Sequence, residues 1–459
     1  MSQFKYKHTI LVPTHQRGDL LRETLRGLLL QEHDNYQILV SNNFSQDETR
    51  DVLSEFAGEP RICVIHTDHK MSMPIHWEFA MDYVEGEYVT ILGDDDGVRS
   101  DFLAALDIVI AETEANLIKF KTTLYFHNDW PDDRRHILEF DSRCSNRYFE
   151  LDKGLILAEF CDFTNYRIFP NLLQTTFSLA LYRKVKERCG TMFVGAPDWS
   201  CPFLLLMDES AKCVYIDSTL GFGGRSKMSN AAYYENKESQ SQNDRMKGFV
   251  NELTAEFRFP HHAPQITTVG NFTPAAFSYA KHFYPKELDG FELNPFEMAK
   301  VVQLDIAEEA VSKRHRFWIS SEFEAFRDFV NALPKDQRDV ILGMAGYFTM
   351  KGQINLLVKR LRRSVKPLIP KSLYAWLIAK RTVAHHVGDY PWTSRVDVSS
   401  LGITNSYQLM QRFSEIVARS DECQKAIHDP LISGPSLSLR GQLNLPITVL
   451  NQVNDGQGL

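Results

Sequence analysis

The chain has no run of about 18 apolar residues, the length a bilayer-spanning helix needs, so the sequence predicts no membrane span. It has no C-x-x-C pair either. Its seven cysteines (Cys63, Cys144, Cys161, Cys189, Cys201, Cys213 and Cys423) are scattered, which excludes a zinc ribbon or a disulfide framework. Unspaced cysteines in odd number read as reduced thiols in a cytosolic protein. There is no basic surplus: the net charge of -8 argues against a general nucleic-acid partner. There is no internal repeat or low-complexity tract. Met1 to Lys7 run straight into a strand, so no signal peptide is expected. What is present is an ordinary globular composition, 43% hydrophobic and 24% charged, in 459 residues, enough for two or three domains.

The first 92 residues alternate between two periods. Apolar, β-branched runs at 8–12, 36–40, 61–66 and 88–92 predict strands, and 19–31, 47–56 and 73–84 predict helices, with Asp47 as an N-cap. This alternation predicts an α/β fold with a parallel, doubly wound sheet, whose polar post-strand loops gather along one edge. A helix at 101–114 and a strand at 117–122 follow. The aromatic stretch 125–176 shows no clean period. Further on, 177–182 predicts a strand, 184–189 a short helix, 198–206 an apolar helix and 214–217 a last strand. Gly221 to Asn230 then reads as a glycine-rich loop, and the polar run 235–244 as a boundary. Helical patterns recur at 296–311 and 322–333.

The chain is organised around Glu85 to Gly97, a short apolar strand that delivers Gly93, Asp94, Asp95 and Asp96 at the sheet's carboxyl edge. Three adjacent carboxylates repel one another and are suited to a hard cation such as magnesium or manganese, which keeps part of its shell for substrate phosphates. The competing account is a solvated acidic turn.

Three motifs occur in order over about 100 residues, a specific combination. Ile10 to Leu25 resembles the opening of the family 2 glycosyltransferases of the GT-A fold, Val40 to Thr49 their second motif, and Gly86 to Asp96 their DXD region. The resemblance covers residues 8–230. It implies a GT-A Rossmann-like, mostly parallel sheet flanked by helices over 1–234. Beyond it, the polar run, the helical patterns and the basic stretch divide the chain into a mainly helical region at 245–350 and a basic amphipathic segment and tail at 351–459. The resemblance also implies that Pro13, Thr14 and Arg17 line the nucleotide pocket. Asn42 stands where the family usually has an Asp that contacts the base, and this departure loosens the assignment of uridine. Asp94 and Asp96 resemble the outer DXD pair, with Asp96 the direct metal ligand and Asp95 facing sugar or ribose.

The family's catalytic base is a carboxylate near the start of a later helix. Asp198, after Pro197 and before an apolar run, fits, with a structural N-cap as its alternative role and Asp208 and Glu209 as rivals. Lys70, Arg225 and Lys227 are candidate diphosphate contacts. His76 and Trp77 read as core or as stacking residues. No Gln-x-x-Arg-Trp occurs, so addition of one or a few sugars is expected rather than processive synthesis. Lys351 to Arg381 carries nine Lys and Arg, interleaved with Leu, Ile, Tyr and Trp and with no acid between them. That pattern suits an anionic membrane surface or simply a solvated face.

The resulting expectation is a cytoplasmic inverting transferase using manganese or magnesium, peripheral on the inner face of the plasma membrane where the basic stretch docks on anionic lipid. It would move a sugar from a nucleotide-diphosphate donor, UDP first, to a glycan or lipid-linked acceptor in surface polysaccharide synthesis. A sugar-phosphate nucleotidyltransferase ranks lower, because His15 to Gly18 holds one glycine and no Arg-Lys run to grip a triphosphate. A non-catalytic nucleotide- or carbohydrate-binding module is the third reading.

Overall fold

The structure is a computed structural model that describes residues 4–130, 133–140, 144, 146–162, 168–195, 197–229, 272–311, 320–344 and 394–428. The chain opens β1 (Tyr6–Thr14), α1 (Gly18–Leu28), β2 (Tyr36–Asn42), α2 (Thr49–Ser54), β3 (Ile62–His66), α3 (Met73–Met81) and β4 (Gly86–Ile91). These four strands pair in parallel in the order β3-β2-β1-β4. In register, Thr14 lies opposite Asn42 and Asn42 opposite His66, so the ends of three strands share one edge. The predicted gathering of post-strand loops is therefore met.

Beyond β4 come β5 (Gly97–Val98), α4 (Phe102–Thr113), β6 (Leu117–Phe126), β7 (Ile137–Phe140), β8 (Tyr148–Glu150) and α5 (Lys153–Cys161). Then follow β9 (Thr175–Ser178), α6 (Leu179–Cys189), α7 (Pro197–Met207) and β10 (Cys213–Arg225). This half of the sheet is mixed: β9 enters between β4 and β6 antiparallel to both, while β10 runs parallel to β6. The remaining described elements are α8 (Phe272–Phe283), α9 (Pro295–Val311), α10 (Ser320–Ala332), α11 (Lys335–Gly343), β11 (Ser394–Asp397) and α12 (Ser406–His428). The basic stretch 351–381 and the boundary at 235–244 lie outside the described residues. No helix among the described residues is long and apolar enough to cross a membrane.

Alternation along the strands builds one core on each face of the sheet. Leu11, Leu39, Val89 and Ile91 face one side, under α3, α5, α6 and α7; Ile10, Val12, Ile38 and Val40 face the other, under α1 and α4. All of these are buried, which holds the parallel strands in a single register, since a one-residue slip would exchange the two faces.

Two expectations are corrected. Residues 177–182 are not one strand: the strand ends at Ser178, whose hydroxyl accepts from Leu181 N–H at 3.1 Å and caps α6. The glycine-rich stretch from Gly221 is not a loop until after Arg225, because Gly221 to Arg225 pair with Thr122 to Phe126. Nothing in the sequence marks a strand after residue 388, yet β11 lies there, paired antiparallel with β7.

His76 sits on α3 with Nε2 2.8 Å from the Ser41 hydroxyl, and burial pushes its pKa down to about 4. Below the ordinary value of 6.5, folding must strip a proton from it. Its contribution is thus intact above pH 6.5 and is lost as pH falls towards 4, by about 3 kcal/mol in total at 1.36 kcal/mol per unit. Urea denaturation at pH 7 and pH 4.5 should show a smaller pH loss in His76→Gln than in the wild type. An equal loss in both would contradict this.

Candidate active site

The acidic loop leaves β4 at the carboxyl edge and is tied down on three sides. Asp94 accepts from Thr14 Oγ1 at 2.7 Å and from the Arg17 guanidinium at 2.6 Å, which brings the loop after β1 onto the loop after β4. Asp95 Oδ2 accepts from Ser229 Oγ at 2.5 Å and Ser226 Oγ at 3.2 Å, both just past β10. Arg17 also donates to Met228 O at 2.5 Å and lies 3.4 Å from Asp95, so the segment after β10 is clasped over the acids. Asp96 accepts from two backbone donors, Gly93 N–H and Gly224 N–H, each at 2.8 Å.

The three carboxylates are buried (4%, 6% and 7% exposed) and differ in charge compensation. Burial raises Asp94 above the usual carboxylate range, against the pull of Arg17. Burial would raise Asp95 too, but Arg17, His127 and Ser229 outweigh it and hold it low. Asp96, desolvated and next to the charge of Asp95, is pushed up to about 7. Negative charge is therefore in surplus at Asp96, and that surplus fits a divalent cation bound through one or two carboxylates plus substrate oxygens. The protein's own donors, rather than a cation alone, separate the three acids, and each points to a different partner.

Among the described residues, three ligand-type side chains converge within 4.8 Å only at His8, His33 and Asp107, at the opposite end of β1. This trio is a hydrogen-bonded cluster. Asn35 N–H points at His33 Nδ1 (3.1 Å), which leaves Nε2 as the donor to Asp107 and unavailable to a metal.

The other predicted residues divide. Asn42 is fully buried and spent internally: Oδ1 accepts from Ser45 N–H at 3.1 Å, and Nδ2 lies 3.2 Å from His66 Nδ1. Pro13 is half-buried and paired with Ser41. Arg225 is near Asp95 and Asp96, with Nε buried and lacking a hydrogen-bond partner, whereas Lys70 and Lys227 are exposed. Trp77 and His76 belong to the interior.

Asp198 stands in the first turn of α7, half-buried, with Oδ1 buried and unpartnered, and desolvation alone pushes it up to about 6. Its rivals are otherwise engaged. Asp208 is held low despite burial by Lys184 at 2.8 Å and by Ser210, and the Glu209 side chain is 91% exposed. Both lie just past the end of α7, about 15 Å from Asp198 at 1.5 Å per helical residue.

Several residues escaped the sequence reading. Glu78 accepts from Met192 N–H at 3.0 Å and Phe193 N–H at 3.4 Å, and Ser200 Oγ accepts from Val194 N–H at 3.0 Å, fixing the approach to Asp198. His127 Nε2 lies 2.9 Å from Asp95 O. Gln16 and Phe44 hold positive φ (57° and 54°) without being glycine, a strain that clusters at functional sites. Ser226 and Ser229, which donate to Asp95, escaped the sequence reading too, although a polar loop after a strand is a signal that could have found them.

Residues 9–191 match the family model described as glycosyl transferase family 2. This stretch of the chain is similar to that family. The chain is 25% identical over 104 residues to the putative teichuronic acid biosynthesis glycosyltransferase TuaG of Bacillus subtilis, covering 22% of this chain and 41% of that protein. It is 29% identical over 102 residues to GalNAc(5)-diNAcBac-PP-undecaprenol beta-1,3-glucosyltransferase of Campylobacter jejuni, covering 22% and 33%. The chain thus spans less than half the length of these curated relatives. Among solved structures, TarS of S. aureus with UDP-GlcNAc is similar at a TM-score of 0.42 and 14% identity, covering 70% of this chain and 90% of that one.

Proposed function

We propose that the protein transfers a sugar, with inversion, from a nucleotide-diphosphate donor to a hydroxyl of a glycan or lipid-linked acceptor. The observation that carries this reading is the pairing of two features within the transferase domain. One is a buried acidic loop with surplus charge at Asp96. The other is a desolvated carboxylate, Asp198, whose buried oxygen has no partner. Asp96, with Asp94, would hold a divalent cation, which when bound neutralises the leaving diphosphate. Arg17 and Arg225 offer guanidinium donors to the same phosphates.

Asp198 takes the proton of the acceptor hydroxyl as the hydroxyl oxygen bonds to the anomeric carbon. The bond from that carbon to the diphosphate oxygen breaks, and the diphosphate leaves with its electron pair. A general base at about 6 is ionised at neutral pH yet basic enough to act. The rate should therefore rise with pH through a limb near 6 and flatten above it. UDP is the first donor nucleotide to test. Because Asn42 is committed to Ser45 and His66, base selection rests on other groups of the pocket.

The curated relatives, which include a teichuronic acid glycosyltransferase and an undecaprenol-linked glucosyltransferase, support a place in bacterial surface polysaccharide synthesis. The divisions at 234, 245 and 351 stay part of this proposal, as does docking of 351–381 on anionic lipid. The test is release of nucleoside diphosphate from UDP-, GDP-, CDP- and dTDP-sugars in the presence of bacterial lipid extract, with Mn2+ and with EDTA. Mn2+-dependent turnover of one donor is expected. Absence of turnover with intact binding favours a binding module. For the basic stretch, co-sedimentation with vesicles containing anionic lipid, but not with neutral ones, is expected.

A further inference from the structure

We infer that the C-terminal helix α12, outside the family match, is the rear support of the acidic loop and that Met410 is a positioning residue for its metal-holding carboxylates. The inference rests on the donor-site reading above. β5, which begins one residue after Asp96, pairs with β10 so that Gly97 lies opposite Phe222. Behind this pair stands α12. A Cβ on Gly97 would meet Phe222 Cζ at 2.3 Å and Met410 Sδ at 2.8 Å, and a Cβ on Gly27 of α1 would meet Met410 Cε at 1.8 Å and Sδ at 2.3 Å. Met410 therefore fills a slot closed on both sides by residues without side chains.

Phe222 is gripped edge-on by Phe413 at 5.3 Å and Tyr125 at 5.5 Å. Tyr125 in turn packs on His127 at 4.8 Å, and His127 meets Asp95 O. Two residues beyond Phe222, Gly224 N–H holds Asp96 Oδ1. The helix thus reaches the acids by two short routes: through Gly97 into the loop's own backbone, and through Phe222 into the β10 strand that orients Asp96.

The same segment is anchored elsewhere. β11 extends the sheet from β7, Arg395 bonds Glu139 at 2.8 Å, and Val398 N–H donates to His136 O at 2.9 Å. Met410, Phe413, Ile403, Leu409 and Val398 share one buried core with Tyr125 and Phe222. Interiors are packed too tightly to deform without displacing neighbours, so a shift of Met410 is passed to Gly97.

The test is calorimetric titration of Mn2+ into the full chain with UDP, and of UDP at saturating Mn2+, for wild type, Gly27→Ala, Met410→Leu and Gly27→Ala/Met410→Ala. Gly27→Ala should raise the Mn2+ requirement at least fivefold with UDP affinity at saturating Mn2+ within twofold. The double variant, in which the clash is relieved, should recover most of that loss, and Met410→Leu, which keeps the volume, should stay within twofold of wild type. A Mn2+ requirement unchanged in Gly27→Ala, or a lowered thermal midpoint with no change in the Mn2+ requirement, overturns the inference while leaving the donor site standing. If the wild type shows no Mn2+-dependent binding of UDP, GDP, CDP or dTDP, the donor-site reading fails and this inference with it.

Discussion

Replacing Asp198 by Asn is expected to cut the transfer rate by roughly 10²- to 10⁴-fold while leaving donor affinity within about twofold of the wild type. Asn keeps the shape of the side chain and loses the basic oxygen. The buried Oδ1 of Asp198 has no protein partner, so the substitution breaks no hydrogen bond at that atom and fold stability should hold. A carboxylate that served only as an N-cap would behave otherwise: its loss would lower the thermal midpoint and leave turnover per folded molecule alone. The pH profile adds a second check. The limb near 6 should disappear in Asp198→Asn, since the group that titrates there is gone. Near-normal transfer by this variant would move the base to another residue.

The second large effect concerns Asp96. Asp96→Ala should weaken Mn2+-dependent diphosphate binding by at least about 100-fold, because loss of even a supporting contact to a metal ligand costs roughly 10- to 100-fold. The alanine also leaves the Gly93 and Gly224 N–H groups without their acceptor, so Asp96→Asn is the companion variant. Asn keeps an oxygen for one of those donors, sets its amide group against the other, and loses the charge. Metal-dependent binding should be lost in both variants, with the thermal midpoint falling more in Asp96→Ala. Asp95 makes a useful contrast. Its Oδ2 is taken up by Ser226 and Ser229, so Asp95→Asn should loosen the segment after β10 more than it weakens Mn2+ binding.

Where the sequence was legible, it was because local pattern and global role agreed. The strands at Ile10, Ile38 and Val89 are short, apolar and followed by polar loops, and the two-faced burial they need is visible as near-continuous hydrophobic runs. The acid triplet followed from that edge, where a post-strand turn must stand, whereas Thr14 and Arg17 were singled out by the family resemblance. The failures have a common physical source. Thr175 to Tyr182 is one apolar run in sequence, and only the cap by Ser178 decides where strand becomes helix. Gly221 to Arg225 looks like a loop because glycine usually marks one. Here the glycines allow close approach instead: a Cβ on Gly224 would lie 1.9 Å from Asp95 O.

The partners of the acids were harder still. His127 and Ser226 reach Asp95 from 32 and 131 positions away, and Glu78 holds the approach to Asp198 through Met192, 114 positions away; no spacing rule encodes such pairs. The C-terminal contribution was invisible for the same reason. Ser394 to Asp397 is four residues without a period, and it becomes a strand only because β7 offers an edge.

The central claim is that the acidic loop forms a metal-dependent site for a nucleoside diphosphate. Calorimetric titration of the full-length protein with UDP, GDP, CDP and dTDP, each with Mn2+ and with EDTA, tests it most directly. The account predicts that one diphosphate binds with Mn2+ and that this binding is lost in EDTA and in Asp96→Asn. Binding of a diphosphate equally well in EDTA, or no binding by any of the four, would contradict it.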